Sequence, residues 1–137
     1  MGGHLTGTCL CGGVHFEITE PLGTAGYCHC TRCQHRSGTA ASPAAALEPG
    51  SVRFIRGEEL VKAWQPEDGF AKLFCGECGA SLFSRAPGAS DPSGVRLGVL
   101  DSDPQVTLAF HQFVDYAAPW EPIPDDGLER YPERRTS

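Results

Sequence analysis

The stretch Gly7-Thr8-Cys9-Leu10-Cys11-Gly12-Gly13-Val14-His15-Phe16-Glu17-Ile18 decides how the chain is to be read. Its second half alternates: Val14, Phe16 and Ile18 are apolar while His15 and Glu17 are polar, the period-two signature of a strand with one buried face. Its first half puts two cysteines one residue apart, poorly placed to bridge each other but able to converge on one ion. A glycine follows the second cysteine, as expected of a tight turn in which positive φ lets backbone N–H groups face sulfur. Hairpin and metal turn therefore come as one unit.

Similar short apolar runs recur at Val52 to Ile55, Leu60 to Trp64, Leu73 to Phe74, Leu82 to Ser84, Val95 to Leu100 and Val106 to Phe113. Turn chemistry separates them, as at Pro49-Gly50, Arg56-Gly57, Asp68-Gly69 and Pro87-Gly88. Seventeen glycines and eleven prolines among 137 residues exceed the usual ~12% for the pair, which excludes a helical bundle. The pattern predicts a mostly antiparallel β fold with one helical turn, beginning inside the Cys28 to Cys33 segment and running to about Ser37 before Gly38 and Pro43. The length suits a single domain, 1–137, with its core over about 5–126. From Pro119 onward the chain is poor in apolar residues and is expected to wrap the surface and fray after about Pro132.

Seven cysteines fall in three groups: Cys9 and Cys11, then Cys28, Cys30 and Cys33, then Cys75 and Cys78. Nothing marks the chain for an oxidising compartment, so metal is the natural use of such spacings. A structural zinc takes four protein ligands and a catalytic one takes three with a position left open, so seven thiolates divide as four plus three. Cys11 and Cys78 are each followed by glycine, whereas Cys33 is followed by Gln34. This pairs Cys9 and Cys11 with Cys75 and Cys78 as a closed structural zinc site that staples two hairpins. Cys28, Cys30 and Cys33 remain, one ligand short of closure. Zinc with an exchangeable position is the reading adopted for them; a fourth ligand from His29, His35 or His111 is the alternative. An iron-sulfur cluster is disfavoured, because it calls for four cysteines per cluster.

The net charge of −6 argues against a nucleic-acid partner. The apolar runs are all far shorter than the ~20 residues of a membrane-spanning helix. Met1, Gly2 and Thr6 formally fit a myristoylation pattern, but Gly2 and Gly3 lead directly into the first cysteine turn, so an untethered N-terminus and a cytoplasmic protein are expected.

The order of these features resembles the glutathione-dependent formaldehyde-activating enzyme family, which includes centromere protein V-like domains. The resemblance runs through Gly7-x-Cys9-x-Cys11-Gly12-x-Val14, Tyr27-Cys28-His29-Cys30-Thr31-x-Cys33-x-x-x-Ser37-Gly38, Phe74-Cys75-x-x-Cys78-Gly79-x-x-Leu82, and His111-x-x-Val114 with Ala118-Pro119-Trp120 and Ile123-x-Asp125. It implies zinc-stapled antiparallel hairpin sheets, the β-tent, with structural zinc on Cys9, Cys11, Cys75 and Cys78 and catalytic zinc on Cys28, Cys30 and Cys33. It also implies a carbon-sulfur lyase that interconverts S-(hydroxymethyl)glutathione with glutathione and formaldehyde. The chain departs from the family in being short after Gly79 and in lacking aromatic residues at Pro43-Ala44-Ala45-Ala46.

A thiol drawn to an open zinc position loses its proton to the ion's field and can add to the carbonyl carbon of an aldehyde. Arg32, between two ligands, and Arg36, one helical turn on, are the cations that can restore positive charge there and pair with the carboxylates of a peptide thiol. No histidine is singled out as general base. His15 reads as an exposed strand residue, His4 as mobile, and Trp120 as a core plug rather than a substrate platform. Two other functions use the same residues: a zinc-bound β module that binds a protein partner, and a non-catalytic thiol or metal carrier.

Overall fold

The period-two runs become strands in the computed structural model, which describes residues 4–136. Met1, Gly2 and Gly3, on which the expectation of an untethered N-terminus rests, lie outside the described residues. Among the described residues there are eleven strands and one α-helix, together with three single 3-10 turns. The fold is mostly β and its sheets are not closed. Backbone packing separates two compact units, the chain up to Gly23 with Ala45–Gln105, and Thr24–Ala44 with the chain from Val106 onward.

The first unit begins with β1 (Leu5–Thr8) and β2 (His15–Ile18), an antiparallel hairpin. Strand β5 (Val52–Arg56) pairs antiparallel with β2 on its other side. A second run of antiparallel neighbours comprises β6 (Val61–Trp64), β7 (Ala71–Cys75), β8 (Ser81–Arg85) and β9 (Gly94–Arg96). Alternation decides what is buried along β2. Val14, Phe16 and Ile18 are inside, as are Leu82, Phe83 and Val95. Phe16 meets Phe83 edge to face with centroids 4.8 Å apart, a geometry that adds roughly 0.5 to 1.5 kcal/mol to the burial itself.

The second unit holds β3 (Ala25–Cys28), the helix α1 (Thr31–Ser37), the start of β4 (Ser42–Ala46), β10 (Leu108–Gln112) and β11 (Glu129–Arg130). Here the antiparallel expectation meets an exception: β10 runs parallel to both β3 and β11. Helix α1 follows the predicted course, with Cys30 as its N-cap and Gly38 as its left-handed C-cap.

Other differences have physical causes. The run Val95 to Leu100 is a strand only to Arg96; Leu97–Val99 closes a 3-10 turn through the Leu100 N–H and the Leu97 carbonyl. Pro43, expected to follow a helix as a stop, lies within β4, where three alanines adopt extended backbone despite their helical preference. The segment after Pro132, expected to fray, is hydrogen-bonded: Glu133 O accepts from the Phe113 N–H, and the Arg135 N–H donates to Gln112 Oε1.

Candidate metal centres

In the first unit the two hairpins bring Cys9, Cys11, Cys75 and Cys78 together, with all four sulfurs within 4.8 Å of one another. Cys9 and Cys11 are 3.6 Å apart at sulfur, and Cys11 and Cys75 are 3.9 Å apart. A disulfide requires about 2.05 Å. Four sulfurs at about 2.3 Å from a central zinc would lie about 3.8 Å from each other, a length these two separations match. Backbone N–H groups face the sulfurs as the turn argument required: Val14 donates to Cys9 at 3.2 Å, Gly13 to Cys11 and Ala80 to Cys78.

Those donors, the neighbouring thiols and burial together set which thiols ionise readily. The Ala80 N–H, ahead of the other influences, brings Cys78 down to about 6. Burial, with a smaller push from Cys78, moves Cys9 up, but the Val14 N–H, Cys11 and Cys75 outweigh them and the net displacement is downward. At Cys11 the Gly13 N–H pulls down, yet the surrounding thiols and desolvation carry it up to about 11. A site divided in this way sheds its remaining protons when a cation arrives.

In the second unit Cys28 ends β3, Cys30 caps α1 and Cys33 sits in the first helical turn, so the sulfurs converge within 4.8 Å. Cys30 Sγ accepts from the Cys33 N–H at 3.3 Å, which makes a candidate ligand serve as the helix cap. The Cys28 thiol is raised far above its ordinary value, first by Cys30 and Cys33 and then by burial. Three close sulfurs cannot all ionise without a cation, so the donor set fits a soft metal. Among the described residues no histidine, aspartate or glutamate joins this group.

His29 and His111 form a different constellation. His29 Nε2 lies 2.8 Å from His111 Nδ1, and His111 Nε2 lies 2.8 Å from Asp126 Oδ2. Both rings are buried, and Tyr27 stacks on His111 with centroids 4.9 Å apart. Burial, ahead of His111 and Arg130, lowers His29 from its usual range. The His111 hydrogen bond, followed by the Leu128 N–H, holds Asp126 below the usual carboxylate range. Sequence reading left Asp126 without a role, because a loop residue fifteen positions from its histidine carries no periodic signal.

The remaining predicted residues are placed as follows. Arg32 and Arg36 lie on α1, Arg32 exposed and Arg36 half-buried, with His35 exposed beside them. His15 is half-buried rather than exposed: its Nε2 is 3.8 Å from Asp101 Oδ2 and its Nδ1 is buried without a partner. The Asp101 carboxylate that draws it in also accepts from Thr6 and Thr8 on neighbouring β1. His4, expected to be mobile, lies 3.5 Å from Glu17. Trp120 is 66% exposed and is not a core plug; the prolines on either side, Pro119 and Pro122, keep its segment out of the strands. Among the described residues no helix is long and apolar enough to cross a membrane.

Comparison with known proteins places this geometry. In sequence and fold the chain is similar to a crystallised Rhodobacter sphaeroides protein, at 25% identity with a TM-score of 0.57, over 92% of this chain and 98% of that one. No protein of curated function matches it significantly. The profile described as glutathione-dependent formaldehyde-activating enzyme matches residues 4–116, a span that contains all seven cysteines, both α1 arginines and His111. The chain thus belongs to the glutathione-dependent formaldehyde-activating enzyme family.

Proposed function

We propose that the chain is a zinc-dependent carbon-sulfur lyase that acts on the adduct of glutathione, or another small thiol, with formaldehyde or a related aldehyde. The observation that carries this reading is the Cys28, Cys30 and Cys33 group, three sulfurs with no histidine or carboxylate among them, in a family named for glutathione and formaldehyde. Zinc held there supplies a positive centre that favours the ionised form of an incoming sulfur over oxygen donors.

The chain's own residues divide the remaining work. Cys28, Cys30 and Cys33 hold the catalytic ion, and Cys9, Cys11, Cys75 and Cys78 hold a structural one, two zinc ions within one 137-residue domain. Arg32 and Arg36 offer cations to the carboxylates of the thiol. In adduct formation the thiol sulfur bonds to the carbonyl carbon, the C=O π pair becomes a lone pair on oxygen, and the thiol proton ends on that oxygen; lysis reverses each change. A cytoplasmic setting suits both the free cysteines and a supply of reduced thiol.

Isothermal titration of the zinc-loaded chain with glutathione, with and without formaldehyde, tests binding. Exchange spectroscopy of the S-hydroxymethyl adduct tests turnover. Saturable binding with accelerated exchange is expected. Binding without exchange indicates a carrier, and no binding at millimolar thiol with both sites loaded turns the reading to a partner-binding module.

A further inference from the structure

The segment Cys28-His29-Cys30 is anchored at its middle residue. The His29 N–H donates to the Gln112 carbonyl at 3.0 Å, and the His29 carbonyl accepts from Gln34 Nε2 at 2.8 Å. The ring, which does not join the sulfur group, bonds instead to His111 at 2.8 Å. Gln34 also donates to the Tyr116 carbonyl at 2.9 Å, so the anchor is tied in turn. A residue between two candidate metal ligands is thus fixed by its N–H, its carbonyl and its side chain.

The side-chain arm has only one proton arrangement when both rings are neutral. Asp126, a carboxylate held below its ordinary range, can only accept, so His111 Nε2 carries a proton. His111 Nδ1 is then a lone pair and must accept from His29 Nε2–H. Both histidines are Nε2–H tautomers, and the order runs from Asp126 through His111 to His29. Asp126 lies beyond the 4–116 span of the family profile, so this end of the arrangement is read from the chain's own structure.

We propose that His111 and Asp126 are positioning residues for the three-cysteine centre: by fixing the tautomer and ring orientation of His29 they hold the Cys28-His29-Cys30 backbone so that its two sulfurs converge with Cys33. The proposal rests on the reading of that centre as a zinc site. Partners behind a ligand set commonly change metal affinity 10- to 100-fold when removed. The hydrogen bonds here act on the backbone between two ligands rather than on a ligand atom, and their effect is confined to one of the two cysteine groups.

The test uses the full chain loaded with two equivalents of zinc. Asp126→Ala and His111→Phe, the latter keeping a ring against Tyr27, should weaken zinc at the three-cysteine site about 10- to 100-fold in chelator competition. The four-cysteine site should keep its affinity, and cobalt substituted at the three-cysteine site should show shifted ligand-field bands. Asp126→Asn, whose amide oxygen still accepts, should restore most of the affinity. Nitrogen-detected spectroscopy of the unmutated protein should find Nε2–H tautomers at His29 and His111. An Nδ1–H tautomer at His111, unchanged zinc affinity in Asp126→Ala and His111→Phe, equal weakening at both sites, or no recovery in Asp126→Asn each overturns the proposal. If the unmutated chain takes up zinc at the four-cysteine site alone, the reading of the centre fails and the proposal falls with it.

Discussion

Gly12 and Gly79 share one left-handed backbone conformation, φ +80° at each, and each directly follows a cysteine of the four-sulfur group. In both turns the next residue, Gly13 or Ala80, then turns its N–H to the preceding sulfur. An added Cβ would meet nothing within 4 Å at either glycine, so the constraint is dihedral rather than steric. Gly12→Ala and Gly79→Ala should each cost about 1 to 2 kcal/mol, read as a lower melting temperature of the zinc-loaded chain. Unchanged melting in both variants would show that the turn tolerates an L side chain and that the glycines are not required.

Cys75 is fully buried and belongs to a group in which Cys9 and Cys11 lie on a distant hairpin, whereas Cys30 belongs to a group within six residues. Cys75→Ser should therefore unfold or aggregate the chain, and Cys30→Ser should leave it folded and inactive. Circular dichroism and thermal melting of both variants decide the matter. Equal destabilisation would mean that the local site carries as much of the fold as the long-range one.

The same contrast predicts unequal lability. A site with four thiolates offers a chelator no vacant position, while one with three does. Graded chelation followed by metal analysis should remove one zinc early with the β signal retained and the second only with unfolding. Cooperative loss of both ions together with the fold would contradict the division into structural and catalytic sites.

Much of this was legible because the signals were local. Alternation at Val14, Phe16 and Ile18 marked β2, and cysteine spacing with the following glycines gave both sulfur groups. What stayed hidden depended on distant partners. Strand β3 contains Gly26, a poor strand former, because the Phe110 ring of β10 occupies the place of its side chain; a Cβ there would lie 2.4 Å from that ring. Strand β4 overrides the helical preference of its alanines, and Asp126 acquires its partner only when the chain after β10 folds back beside it. Propensity and spacing contain none of these contacts.

Glu17 and Arg53 face each other across β2 and β5 and are joined by a salt bridge. The Arg53 hydrogen bond, the largest influence, brings the Glu17 carboxyl below its ordinary 4.5, with the Arg53 and His4 charges adding to it. A depressed folded-state value means the pair stabilises the fold fully above pH 4.5 and loses that contribution as pH falls through the lower, folded value. Arg53→Ala should return Glu17 toward 4.5 in carboxyl-detected titration, and the stability gap between parent and variant should close on acidification. A Glu17 titration unmoved by the substitution would mean the pair is not formed in solution.

The α1 arginines bear on the choice of thiol. The chain carries a net charge of −6, and three ligating thiolates around one dication add a further formal −1 at the proposed catalytic site, so a dicarboxylate peptide thiol would be repelled without local cations. Arg36 lies in the last turn of α1, the helix whose first turn carries Cys33, and is half-buried, which limits the conformational freedom lost when it engages a ligand. Arg36→Glu should weaken glutathione binding by about tenfold or more, since reversal removes one attractive contact and adds a repulsive one. Cysteamine, a thiol without carboxylates, should be held no less well by the variant than by the parent. The loss should shrink at high salt, and melting temperature should change far less than affinity. Equal losses for glutathione and cysteamine would show that Arg36 acts through the fold of α1 rather than through the ligand's carboxylates.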